Sequence, residues 1–153
     1  MRARSFNRVR RNERGSAMLE MAFTIPMLLL VCVGIFDFGR AYQTWQIMTN
    51  AAREGARLAV TPAATEAGVK TRVKDYLKAG QLGNWDTATI SLNPTAKIDI
   101  GGATQANASI VTVEYPFKFM VLGPIAKLVD PKSSFGTAIT LKTSAEMRNE
   151  SQF

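Results

Sequence analysis

The chain has 153 residues, enough for one domain, and carries 19 Lys and Arg against 12 Asp and Glu with no histidine. The missing histidine removes the commonest metal ligand and the commonest general base at neutral pH, and a single cysteine, Cys32, excludes an internal disulfide. The formal charge of +7 suggests a nucleic-acid ligand until the charges are located: Arg2, Arg4, Arg8, Arg10, Arg11 and Arg14 against Glu13 give residues 1–15 a charge of +5, leaving the remainder only +2.

That basic arm stands directly before an apolar run, so it is expected to orient a membrane segment, and no nucleic-acid partner is expected. Ala17 to Phe36 is a run of 20 residues with one charge, Glu20. As a helix rising about 1.5 Å per residue it spans roughly 30 Å, the thickness of a bilayer core. Asp37 and Arg40 close the run. The positive-inside rule then predicts residues 1–15 in the cytoplasm and everything after Asp37 on the periplasmic side of an inner membrane. The run ends in Gly34-Ile35-Phe36-Asp37-Phe38-Gly39-Arg40, without the small-residue site of a cleaved secretory signal, so the helix is expected to be retained. Pro26 is tolerable in a membrane helix, and Cys32 reads as a small apolar residue of the run.

Gly15, Ser16 and Glu20 form a second pattern. A carboxylate within an apolar helix costs about 2.5–3.5 kcal/mol at the bilayer centre and less near the interface. A cut between Gly15 and Ser16 would create an α-amino cation one helical turn from Glu20, a partner within one helix or between neighbours. Alternatively, Glu20 lies at the interface near a helix N-terminus whose dipole favours it.

The basic leader, Gly15-Ser16, Glu20 and the apolar run together resemble the class III signal of type IV pilins and pseudopilins. Further motifs narrow the resemblance: Glu20-Met21-Ala22-Phe23, Pro26-Met27-Leu28-Leu29-Leu30, the segment Gly34 to Arg40, and Asn50-Ala51-Ala52-Arg53-Glu54-Gly55-Ala56-Arg57. With Val111 to Phe117 and Thr143 to Glu150, the chain is similar to the TadE-like family of the tight-adherence (Flp) pilus system. The resemblance implies a pilin-like fold, cleavage after Gly15 by a prepilin peptidase, N-methylation at Ser16, and partners among other pilin or pseudopilin subunits and the pilus-assembly platform. Met21 departs from the pattern, since Flp-type prepilins place tyrosine after the glutamate.

Beyond Arg40 the helical signal continues. Phe38, Tyr42, Trp45, Met48, Ala52, Gly55, Ala56 and Ala59 recur at spacings of three and four and predict one apolar face, ending near Val60 before Thr61-Pro62. Tyr42 and Trp45 also fit an interfacial aromatic belt. The small residues Ala52, Gly55, Ala56 and Ala59 predict close packing, either on a sheet of the same subunit or against a neighbour's helix.

A second helix is expected over Ala63 to Ala79, with Val69, Val73, Tyr76 and Leu77 inward and Gly80 as its stop. Strands are expected at Thr89–Leu92 before Asn93-Pro94, Lys97–Ile100 before Gly101-Gly102, Ser109–Tyr115 before Pro116, and Ile139–Met147. Phe117 to Val129 is apolar but short for a span. It is expected to be a loop or short helix covering the sheet, or a surface that docks a partner. Gly101-Gly102 matches no phosphate loop, and Asp99, Glu114 and Asp130 show no metal-site spacing.

The fold class expected is therefore α+β: a long N-terminal transmembrane helix continuing outside the membrane, a shorter helix, and an antiparallel sheet of three or four strands. Residues 1–15 form the leader, 16–60 the long helix with its span at 17–36, and 61–153 a small periplasmic domain packed on that helix. No catalysis and no cofactor are expected. Two functions fit: a minor-pilin-like subunit processed after Gly15, and an uncleaved, membrane-anchored periplasmic binding module.

Overall fold

The computed structural model describes residues 13–99, 101, 105–132, 134 and 136–149; the arginines at positions 2 to 11, expected in the leader, lie outside them. Two compact units meet in sequence at Phe36/Asp37. The first contains the start of helix α1, Glu13–Ala59, as a continuous run of helix through Pro26. The second contains the rest of α1, then α2 (Glu66–Ala79), a single 3-10 turn at Trp85–Thr87, β1 (Thr89–Asp99), β2 (Gln105–Phe117), α3 (Leu122–Val129) and β3 (Ile139–Arg148). This is the expected α+β class, with three helices and one three-stranded sheet among the described residues.

Local chemistry sets the helix ends. Arg57 lies in the last turn of α1, and Thr61 closes it by donating from both N–H and hydroxyl to the Leu58 carbonyl, at 3.0 and 2.7 Å. α2 begins at Glu66, three residues later than the pattern predicts. The Ala64 N–H turns back to the Thr61 carbonyl, and Thr65 is the cap whose hydroxyl accepts the Gly68 N–H at 3.1 Å. Gly80 ends α2 as expected, and a Cβ there would stand 2.7 Å from Ile47 Cγ2.

The sheet is an antiparallel meander in the order β1-β2-β3. Two expected strands are one: β1 runs through Asn93-Pro94, with a register shift between Asn93 and Ala96. Pro94 cannot donate to a ladder, but β1 is an edge strand, where a bulge absorbs the missing donor. Similarly β2 passes through Pro116, which pairs only towards β3, opposite Thr140; the β1 side of the ladder stops at Thr89↔Glu114. Asn149 stitches the far end: its N–H donates to the Asn107 carbonyl, and its side chain accepts from Ser109 Oγ (2.9 Å) and donates to the Pro94 carbonyl (3.3 Å).

α1 beyond Asp37 and α2 cover one face of this sheet. Met48, Ala51, Ala52 and Ala56 from α1, Val69, Val73 and Leu77 from α2, and Ile90, Val111, Val113, Tyr115 and Phe117 from the strands form one core. Each fully buried Val, Leu or Met contributes roughly 1.5–3 kcal/mol relative to an exposed one. Tyr115 keeps its polar end satisfied by donating its hydroxyl to the Gly83 carbonyl.

The buried stripe of α1 differs from the expected one. Phe38, Tyr42 and Trp45 are exposed, and Asp37, Thr44, Met48, Ala51, Ala52, Gly55 and Ala56 are buried. The aromatic residues lie about a third of a turn round the helix from that stripe. Close approach to α2 and β2 admits small side chains, so the alanines and Gly55 decide which face turns inward.

Candidate functional site

The apolar run is uncovered by its own chain. Every described side chain from Ser16 to Cys32 is exposed, with Phe23 at 77 %, and none of the run's most apolar stretch is buried. α1 thus carries a segment with the length and composition of a membrane span. A core helix of equal hydrophobicity would hide this surface.

Gly15, Ser16 and Glu20 stand at its start, all exposed and all helical. A Cβ added to Gly15 meets nothing within 4 Å, so packing inside the chain does not require glycine there. Ser16 and Glu20 are four residues apart, on one face. The Glu20 carbonyl accepts the Thr24 hydroxyl at 2.8 Å, and among the described residues no cation pairs with the Glu20 carboxylate.

The small residues of the second unit are built into its core. Ala52 and Ala56 are fully buried, Gly55 is buried, and Ala59 is partly buried against the same cluster. A Cβ on Gly55 would lie 2.5 Å from Val73 Cγ2 and 3.3 Å from Val111 Cγ1. Of the two packings expected for this stripe, three of its residues therefore serve the subunit's own core. Glu54, between them, accepts from Arg72 Nε and Nη2 at 3.2 and 2.7 Å, joining α1 to α2. The Arg72 bond holds the Glu54 carboxyl below its ordinary range, with burial opposing. Within Asn50 to Arg57, Ala51, Ala52, Gly55 and Ala56 are buried, while Asn50, Arg53 and Arg57 are exposed.

Asp37 is the residue that pattern reading missed. It is fully buried, and its carboxylate accepts the N–H groups of Met120, Val121 and Leu122 at 3.2, 3.0 and 2.9 Å. Arg40 stands 3.5 Å from it, with the guanidinium 5.5 Å above the Phe117 ring. Burial pushes this carboxyl up; the three backbone bonds and Arg40 outweigh it, so it titrates below the usual carboxylate range. One signal was available: Asp37 precedes Thr44, Met48 and Ala51 at helical spacing, a charge on the stripe that later proves buried. Phe117 to Val129, expected to form a loop or short helix, contains α3, held at its start by Asp37.

A polar cleft of about 390 Å³ opens between Arg40, Gln43, the Gly80–Asn84 turn, Tyr115 and Lys118. Its lining holds no histidine, cysteine or carboxylate, and its polar side chains are Arg40, Gln43, Thr44, Gln81, Asn84, Thr87, Tyr115 and Lys118. Among the described residues no His, Cys, Asp or Glu cluster is arranged to hold a metal ion.

No curated protein and no solved structure matches the chain. Val111–Phe117 and Thr143–Glu150 lie outside the family match, which stays within α1. Residues 15–57, from the glycine before the apolar run to the last arginine of the packing signature, match the family described as TadE-like protein, the family that the sequence resembles.

Proposed function

We propose that this chain is a minor-pilin-like subunit of a tight-adherence (Flp) pilus or a related secretion apparatus, with no catalytic role of its own. Residues 17–36 hold it in the inner membrane, with residues 1–15 in the cytoplasm and residues 37–153 on the periplasmic side. A prepilin peptidase cuts between Gly15 and Ser16. The new Ser16 amine then neutralises Glu20 within the helix or on a neighbouring subunit, and helix packing draws the subunit towards the assembly platform.

One observation carries this reading. The segment matching the TadE-like family is a single helix whose first part is apolar and uncovered, and whose second part is the core of a small α+β unit. Two details support the processing step: among the described residues, a Cβ on Gly15 meets nothing within 4 Å and Glu20 lacks an ionic partner. Intact mass or N-terminal sequencing of protein from native membranes tests it. A chain beginning at Ser16 is expected; one retaining Arg2 to Gly15 with the peptidase present means an uncleaved, anchored periplasmic module instead. Gly15→Leu should abolish the cut, because a peptidase pocket that selects glycine has no room for the side chain. Glu20→Ala should leave insertion intact and lower pilus output; normal piliation would refute the charge pair.

A further inference from the structure

The unit formed by residues 37–153 exposes its largest apolar side chains unevenly. Leu128 and Val129, at the end of α3, are 85 % and 83 % exposed, more than any other large apolar residue of that unit. Met120, just before α3, and Phe38 on α1 are exposed as well, and Phe38 lines the same groove as Leu122 of α3. Only Leu122 and Gly123 of the eight residues of α3 are buried. Scattered single apolar residues are ordinary on a protein surface; a cluster on one short helix marks a contact.

Within the unit formed by residues 37–153, the start of that helix is fixed. The N–H groups of Met120, Val121 and Leu122 are bonded to Asp37, the residue directly after the apolar run. A close crossing holds the same end: a Cβ on Gly123 would meet the Gly136 carbonyl oxygen at 2.7 Å. α3 thus starts within hydrogen-bonding distance of the residue that follows the apolar run in sequence, and its eight residues extend only about 12 Å. The headgroup layer on each side of a bilayer is about 5–8 Å thick. The surrounding charges suit lipid phosphates, since Lys118, Lys127 and Lys132 are exposed and only Asp130 opposes them between positions 118 and 132.

We propose that α3, together with Met120 and Phe38, is a membrane-interface element. Leu128 and Val129 enter the boundary between headgroups and acyl chains of the leaflet on the side of residues 37–153. This rests on reading residues 17–36 as a membrane span. The apolar side chains gain cover that the subunit's core does not supply, the lysines meet phosphates, and Asp37 couples the helix to the end of the span. Contact with the bilayer, not with another protein, is favoured by this continuity with the apolar run.

Site-directed spin labelling of the full chain in phospholipid nanodiscs tests it. In a Cys32→Ala background, single nitroxides are placed at Leu128→Cys, at Asp75→Cys on the exposed face of α2, and at Leu28→Cys in the span. Collision with oxygen, which enriches in lipid, is compared with collision with a nickel chelate, which stays in water. The expected result is a ratio at position 128 shifted towards oxygen, between the lipid-facing value at 28 and the aqueous value at 75. A ratio at 128 equal to that at 75, with 28 in lipid, overturns the interface role and leaves the span intact. Protection of position 128 from both probes overturns it in favour of a protein partner. An aqueous ratio at 28 brings down the span and the interface element together.

Discussion

Residues 16–36 and 37–59 share one helix and differ in what covers them. In the first stretch large apolar side chains such as Phe23 and Met27 stand exposed; in the second, Met48, Ala51, Ala52 and Ala56 are fully buried against α2 and the sheet. Side-chain size differs in the same sense. The first stretch is rich in Leu, Met and Phe, which suit contact with fluid lipid, whereas the second uses Ala and Gly, which let backbones approach. Folding energetics should therefore change abruptly at Asp37: substitutions after it perturb the stability of the folded unit, and substitutions before it leave that stability nearly unchanged.

The largest effect is expected at Asp37. Asp37→Ala removes the acceptor of three backbone N–H groups and leaves Arg40 with no acid, a loss of about 3–5 kcal/mol by the scale of broken buried charge networks. Urea unfolding of the full chain in detergent micelles, followed by tryptophan fluorescence, measures it; a loss below about 1 kcal/mol would detach α3 from any dependence on Asp37. The pH dependence has a definite sign. The folded-state pKa of Asp37 is depressed below the unfolded one, so its contribution is present above the unfolded value and disappears as pH falls through the folded value. Asp37→Asn should remove that acid-side loss.

Glycine substitutions draw the contrast more sharply. Gly55→Val forces carbon against Val73 and Val111 and should destabilise by about 2–4 kcal/mol, whereas Gly34→Val, with nothing within 4 Å, should change stability by no more than about 0.5 kcal/mol. Equal losses at the two positions, measured by the same urea titration, would erase the distinction between the stretches. A smaller loss, about 1 kcal/mol, is expected for Tyr115→Phe, which leaves the Gly83 carbonyl without its hydroxyl partner.

Much of this was legible because it is periodic. An apolar run with a single charge and the stripe from Met48 to Ala56 are local patterns, and they point to the span and the inward face. Gly80 and Pro62 mark helix ends through rules of single residues, whereas the Thr65 cap went unread and α2 starts later than expected. What the sequence hid depends on long-range partners. Pro94 reads as a break until β1 is known to be an edge strand, and Pro116 reads as a strand end until β3 is known to pair beyond it. Asp37 reads as a charge closing a span, because its donors lie more than eighty positions away in a segment that looks like an apolar loop. Phe38, Tyr42 and Trp45 misled for a related reason: hydrophobicity alone cannot say which of two adjacent apolar faces has room for large rings. In the candidate processing region the position was different. Gly15, Ser16 and Glu20 resemble a signal that is read by other molecules, so the fold of one chain contributes only their exposure and, among the described residues, the absence of an ion pair at Glu20.

The smallest effect concerns Glu54 and Arg72, the pair inside the family signature that joins α1 to α2. Both side chains keep contact with water, and an ion pair in that setting contributes about 0.3–1 kcal/mol. A double-mutant cycle over Glu54→Gln and Arg72→Met isolates the coupling, because Gln keeps the volume and Met keeps most of the apolar stem. Two features separate a real pair from incidental proximity. The coupling should shrink as ionic strength rises, since exposed charges are screened. It should also fade as pH falls through the folded pKa of Glu54, which the Arg72 hydrogen bond holds below the unfolded value; above the unfolded value the contribution is complete. A coupling that ignores both salt and acid would assign the contact between α1 and α2 to Gly55 and its alanines alone, leaving Glu54 free to serve a contact outside the subunit.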